Sequence, residues 1–147
     1  MLYSPVYQAL SINARKVLDA LTVEHIRHAR QENGNLMALY DDLAAPPFHV
    51  SRRLISAALA ELEAGGFVAV ARKGRMENGK RQPTRYRLTM YAVLHDESAP
   101  TNDWRRRAAD DVESARAATA RKRPSRLPAS SGNVVRLPRN QKPGSPS

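Results

Sequence analysis

The sequence predicts an α+β fold of the winged helix-turn-helix kind: three helices and a small antiparallel wing sheet, then a C-terminal helix and a disordered basic tail. Three observations predict it. A helical segment opens on Ser51, Arg52 and Arg53 and stops at Gly65 and Gly66. Two short strand-like runs follow, at residues 67–71 and 86–90. The stretch that joins them, residues 72–87, carries seven Lys or Arg side chains against one acid, Glu77. Helix, glycine stop, strand, basic loop, strand is the order of parts in a winged helix-turn-helix.

Each element has its own signal. After a short lead containing Pro5, Ser11 is placed to cap a helix running to about residue 30. Ala14, Val17, Leu18, Leu21 and His25 recur there at helical spacing, with Arg15, Lys16, Asp19 and Glu24 on the other side. The turn dipeptide Asn33-Gly34 stops that helix, and Leu36, Met37 and Ala38 supply a first wing strand. Tyr40–Ala44 reads as a second, short helix ended by Pro46 and Pro47. From Ser51, a good N-cap residue, Leu54, Ile55, Ala58, Leu59 and Leu62 form one apolar stripe. Gly65 and Gly66 supply the positive φ that ends a helix sharply. Phe67, Val68 and Val70 then form an apolar run, and Gly74 and Asn78-Gly79 let the chain reverse. Tyr86, Leu88 and Met90 alternate with Arg85, Arg87 and Thr89, as in a half-buried strand.

Past His95 the composition changes. Residues 98–101 read as a linker, and Asn102 is placed to cap a polar helix from Asp103 to about Arg121, with Trp104 and Val112 for packing. Pro, Ser, Gly, Asn and Arg dominate from Arg123 onward, a composition expected to be disordered in isolation. The expected division is therefore a winged helix-turn-helix domain over 1–95, a linker and polar helix over 96–122, and a disordered basic tail over 123–147.

The charge narrows the partner. Of the 147 residues, 24 are Lys or Arg and 14 are Asp or Glu, a formal charge of +10. Residues 1–95 hold 13 bases and 8 acids and residues 96–147 hold 11 and 6, so each part carries +5. After Glu113 come eight bases and no acid. Such a balance favours a polyanion, nucleic acid or an anionic membrane surface. The membrane is the weaker choice, since no segment approaches the roughly 20 apolar residues of a spanning helix. No secretory signal is evident at the start, so the expected location is the cytoplasm, at the nucleoid. With no cysteine, disulfides and thiolate metal sites are excluded.

The helix from Ser51 turns its stripe inward and leaves Ser51, Arg52, Arg53 and Ser56 outward, with Ala57 and Ala60 further along. Small residues allow close approach to a duplex, and arginine pairs with guanine edges or phosphate. Glu61 and Glu63 fall toward the far end. Taken alone, this pair of arginines is equally a solvated surface; the basic loop behind it tips the reading to nucleic acid. In that loop Lys73, Arg75, Lys80 and Arg81 are placed to lie along the backbone or in the minor groove, and Arg72, Arg85 and Arg87 sit nearer the strands. The clusters at 105–107 and 121–123 read either as an arm adding non-specific affinity or as a solvated extension. Trp104 reads as a packing anchor ahead of a base-stacking group. His25 and His28, with Glu24 and Glu32, allow a two-histidine metal site to be drawn, but nothing completes it. No glycine-rich phosphate loop, serine elbow or acidic metal cluster is present, so neither catalysis nor a cofactor is expected.

The run from Val17 through His28, then Asn33-Gly34, Tyr40-Asp41-Asp42, Ala60-Glu61-Leu62-Glu63-Ala64-Gly65-Gly66-Phe67, Arg81-Gln82-Pro83 and Asn102-Asp103-Trp104-Arg105, resembles a group of small winged helix-turn-helix proteins from alphaproteobacteria. The likeness covers about residues 10–108. Leu39 departs from it, standing where threonine usually caps the second helix, and the double proline is unusual in the turn. The resemblance implies a recognition helix over 51–64, a wing over 73–83, and a DNA-binding regulator or replication-associated protein of plasmids, prophages or integrative elements. Double-stranded DNA is the expected partner; a homodimer and contact with the replication or transcription machinery stay open. Transcriptional regulation leads. The alternatives are replication initiation or transfer control, a protein-interaction module, and RNA binding.

Overall fold

The computed structural model describes residues 1–122; the expected basic tail, 123–147, lies outside the described residues. The lead before Ser11 is itself helical. Ser4 caps α1 (Pro5–Gln8) by accepting the Tyr7 N–H, and Pro5 occupies a first-turn position where its missing N–H costs nothing. Val6 and Leu10 thereby join the core. α2 (Ile12–Arg27) starts where expected, with Ser11 Oγ accepting the Ala14 N–H at 3.2 Å, and buries Ala14, Val17, Leu18, Leu21 and His25. It stops short of residue 30, because Ala29 and Arg30 take positive φ.

β1 (Leu36–Met37), α3 (Tyr40–Ala44), α4 (Arg52–Ala64) and β2 (Val68–Arg72) follow in order. Residues 73–82, expected as a reversing loop, largely form a second ladder of β3 (Arg75–Glu77) against β4 (Lys80–Gln82). Asn78 and Gly79 both have positive φ, as a tight primed hairpin turn demands. β5 (Arg85–Leu88) then pairs antiparallel with both β1 and β2, giving a three-stranded sheet of order β1-β5-β2. Leu36 and Val70 both face Tyr86 across the ladders, and Val68 faces Leu88. Tyr86 and Leu88 point into the core while Arg85 and Arg87 alternate with them, as the pleat requires.

Gly66 ends α4 with φ of 75°, and a Cβ there would lie 2.7 Å from the backbone of Asp103 and Trp104. That close approach seats a 3-10 turn, Asp103–Arg106, whose Trp104 ring stacks on the fully buried Phe67 with centroids 6.3 Å apart. The chain then straightens at Arg107 before α5 (Ala109–Lys122), so the helix expected from Asp103 is two elements. Asn102 does not cap by its side chain; it sits in the left-handed region, and its Oδ1 accepts the Trp104 Nε1–H. Asp111 instead accepts the Ala108 N–H at 2.8 Å. Val112 brings α5 into the common core.

Two buried polar side chains hold these layers. Glu61, only 3 % exposed, accepts the Ser11 N–H at 2.8 Å and both Nε and Nη2 of Arg116 at 3.2 Å. Arg116 also donates to the Ala9 carbonyl, so one carboxylate ties α4, the start of α2 and α5 together. The hydrogen bond to Glu61 holds Arg116 above its ordinary pKa. Asn33 is fully buried and binds the end of β5 through both ends of its amide.

His25 lies in the core against the Tyr91 ring, with centroids 4.8 Å apart, and burial first and Arg30 second hold its pKa below the ordinary 6.5. The unfolded chain then takes up a proton that the folded one resists. This contribution to stability is complete above pH 6.5 and declines as pH falls below it. Burial raises the carboxyls of Asp19, Glu24 and Glu63, which acts in the opposite direction. Urea midpoints should therefore fall further between about pH 7 and about pH 5 in the wild type than in His25→Phe, in which those carboxyls are unchanged. Parallel pH profiles would contradict this assignment.

Candidate nucleic-acid interface

α4 is amphipathic enough to fix its own orientation. Ile55, Ala58, Leu59 and Leu62 are buried, and this leaves Arg52, Arg53 and Ser56 exposed near its start. Ala57 and Ala60 continue that face half-buried. Ser51 is exposed as well, but it opens the helix without the side-chain cap expected of it. α3 packs at this end with Asp41 and Asp42 in its first turn and no side-chain cap at Leu39. Arg52 Nη2 donates to Asp41 Oδ1, an exposed ion pair between the starts of the two helices.

The hairpin is solvent-exposed on both sides, from Ala71 through Arg81. Its register sorts the charges. Arg75 lies opposite Gln82 and Glu77 opposite Lys80, while Met76 lies opposite Arg81. Successive residues of a strand alternate faces, so Arg75, Glu77 and Lys80 share one face and Met76 and Arg81 the other. The hairpin's single acid, Glu77, pairs with Arg75 at 2.9 Å on its own face, and the Arg81 face carries no acid. Arg72 ends β2 exposed, opposite Arg85. Lys73 follows close enough to Glu63 on α4 to counter the upward shift that burial gives that carboxyl. Arg85 is half-buried and donates Nη1 to the Asn35 carbonyl at 3.1 Å, so it braces β5 rather than reaching outward.

The parts border one surface. A groove of about 660 Å³ runs between the start of α3 and the root of the hairpin. Leu39 and Tyr40 line one wall, Arg75, Met76 and Arg81 the other, and Leu59 and Tyr86 contribute to the lining between. Tyr40 adjoins Asp41 in sequence, and the Asp41 carboxylate holds Arg52 at the exposed start of α4; from α4 itself the groove takes Leu59. Nine of the ten residues expected from the sequence, Ser51, Arg52, Arg53, Ser56, Arg72, Lys73, Arg75, Lys80 and Arg81, are exposed; Arg85 is the half-buried one. Tyr40 and Met76 line this surface and Asp41 stands beside it on Arg52, and none of the three is among the residues the sequence points to. Their signal was an acid and an aromatic at the start of the second helix, and an apolar residue inside an otherwise charged loop.

His25 is buried and His28 exposed, so the two histidines do not share a site. Glu24 accepts the Met37 N–H instead. No helix among the described residues is long and apolar enough to cross a membrane. No protein-family model matches the chain, and no curated protein or solved structure matches it either.

Proposed function

We propose that this chain is a winged helix-turn-helix protein that binds double-stranded DNA sequence-specifically and acts as a transcriptional regulator in the cytoplasm, at the nucleoid. In this reading α3 and α4 form the helix-turn-helix and the β3–β4 hairpin is the wing, as in the small alphaproteobacterial group it resembles. The observation that carries it is the junction just described. Arg75 and Arg81 of the exposed hairpin line a groove whose other wall is the start of α3, and Asp41 of α3 holds Arg52 at the exposed start of α4. A helix face of small and arginine side chains suits the major groove, and an exposed cationic hairpin suits the adjoining backbone. The protein acts by binding, without a cofactor.

Fluorescence anisotropy with duplex DNA tests this. If six to eight phosphates are neutralised, log K against log salt should have a slope of roughly −5 to −7. A flat dependence between about 50 and about 200 mM salt, or no binding, would overturn the proposal. Competition by duplex RNA as strong as by DNA would transfer the reading to RNA.

A further inference from the structure

We propose that Asp41 is a selectivity residue of the DNA surface, its carboxylate holding Arg52 away from phosphate so that Arg52 engages a base edge in preference to the backbone. The inference rests on the DNA-binding reading above. Asp41 lies in the first turn of α3 and Arg52 in the first turn of α4, and the two side chains are 83 % and 59 % exposed. DNA can therefore reach the pair, while an ion pair this exposed contributes little to folding.

The two kinds of DNA partner meet the pair differently. A phosphate drawn to Arg52 offers one anion in exchange for another and comes to rest beside the Asp41 carboxylate, which repels it. A guanine edge is neutral and presents O6 and N7 together, so the planar guanidinium can hold both while the carboxylate meets no second anion. The acid thus weakens phosphate capture more than base reading. Glu77 neutralises Arg75 within the hairpin and Glu63 faces Lys73 at its root. Neither stands at the end of α4 that would enter the groove, which is what distinguishes Asp41.

The test uses the full chain. Duplexes enriched from a random pool by the wild type are compared with scrambled duplexes of equal length, for wild type and Asp41→Asn, at several salt concentrations. On scrambled duplex, Asp41→Asn should bind about threefold to tenfold more tightly, with a salt slope steeper by about one. On the enriched duplex the gain should stay below about twofold, so the selectivity ratio falls. In an Arg52→Ala background the same change should leave the ratio unmoved. Equal gains on both duplexes would mean general electrostatics and overturn the role of Asp41. So would a wild type that binds DNA with no selectivity, although DNA binding itself would stand. No binding to any duplex overturns the proposed function and this inference together. Asp41→Ser serves as a second variant if the first melts at lower temperature.

Discussion

Replacing Asn33 by Ala should destabilise the fold by about 3–5 kcal/mol, the largest effect expected of any polar truncation in the described core. The side chain is 0 % exposed, and every polar atom of its amide is used. Oδ1 accepts the Leu88 N–H at 2.7 Å, and Nδ2 donates to the carbonyls of Leu88, Tyr91 and Ala92 at 2.9, 3.0 and 3.2 Å. β1 is only two residues long, so Asn33 takes over the edge of β5 where that strand has run out. Alanine leaves the buried Leu88 N–H without this partner and takes a donor from three carbonyls, that of Leu88 buried and those of Tyr91 and Ala92 partly so; each buried group left unmade costs about 1–3 kcal/mol. Against a domain stability of about 5–15 kcal/mol this is about a fifth of the total or more, equivalent to a drop in Tm of about 10–20 °C. Asn33→Asp should not rescue it, since a carboxylate keeps the acceptor but sets its charge against three carbonyls. Urea unfolding checks both; a loss below about 1 kcal/mol for Ala would mean that water replaces the amide.

Asn33 also marks where the sequence could and could not be read. The pair Asn33-Gly34 reads as a turn, and the chain does turn there, but nothing local shows that the amide is aimed 55 residues ahead at β5. Glu61 is similar. With Glu63 it reads as falling toward the far end of the helix, yet it is buried on Arg116, also 55 residues away. A trace existed, because Glu61 sits at i+3 from Ala58 and beside Leu62, inside the apolar stripe, and a charge there needs a partner. What was legible depended on local causes. The span Tyr40–Ala44, the serine-capped start of α2, the arginine-led start of α4 and the positive φ of Gly66 follow from periodicity, capping and backbone freedom. The candidate surface divides in the same way. Its cations are a matter of composition and were visible, whereas the pairing of Asp41 with Arg52 and the bracing of Arg85 by Asn35 depend on how distant segments pack.

Changing Lys73, Arg75, Lys80 and Arg81 together to Gln should weaken binding to any duplex on the order of a thousandfold near 0.1 M salt, and make the salt slope shallower by about three to four. The four side chains are exposed on or just before the hairpin and belong to no buried cluster, so the variant should melt as the wild type does. The size follows from counterion release. Each neutralised phosphate contributes about 0.9 to the slope, and near 0.1 M salt nearly tenfold in affinity. Arg75 is the member whose loss should matter least, because Glu77 already holds it. Arg81, alone with Met76 on the acid-free face, should matter most. Single variants ranked by salt slope separate these positions, and Arg81→Gln should shift the slope by about one on selected and random duplex alike. An unchanged slope in the quadruple variant would remove the hairpin from the interface. The start of α4 would then be left to carry binding alone, with Arg52 already engaged by Asp41.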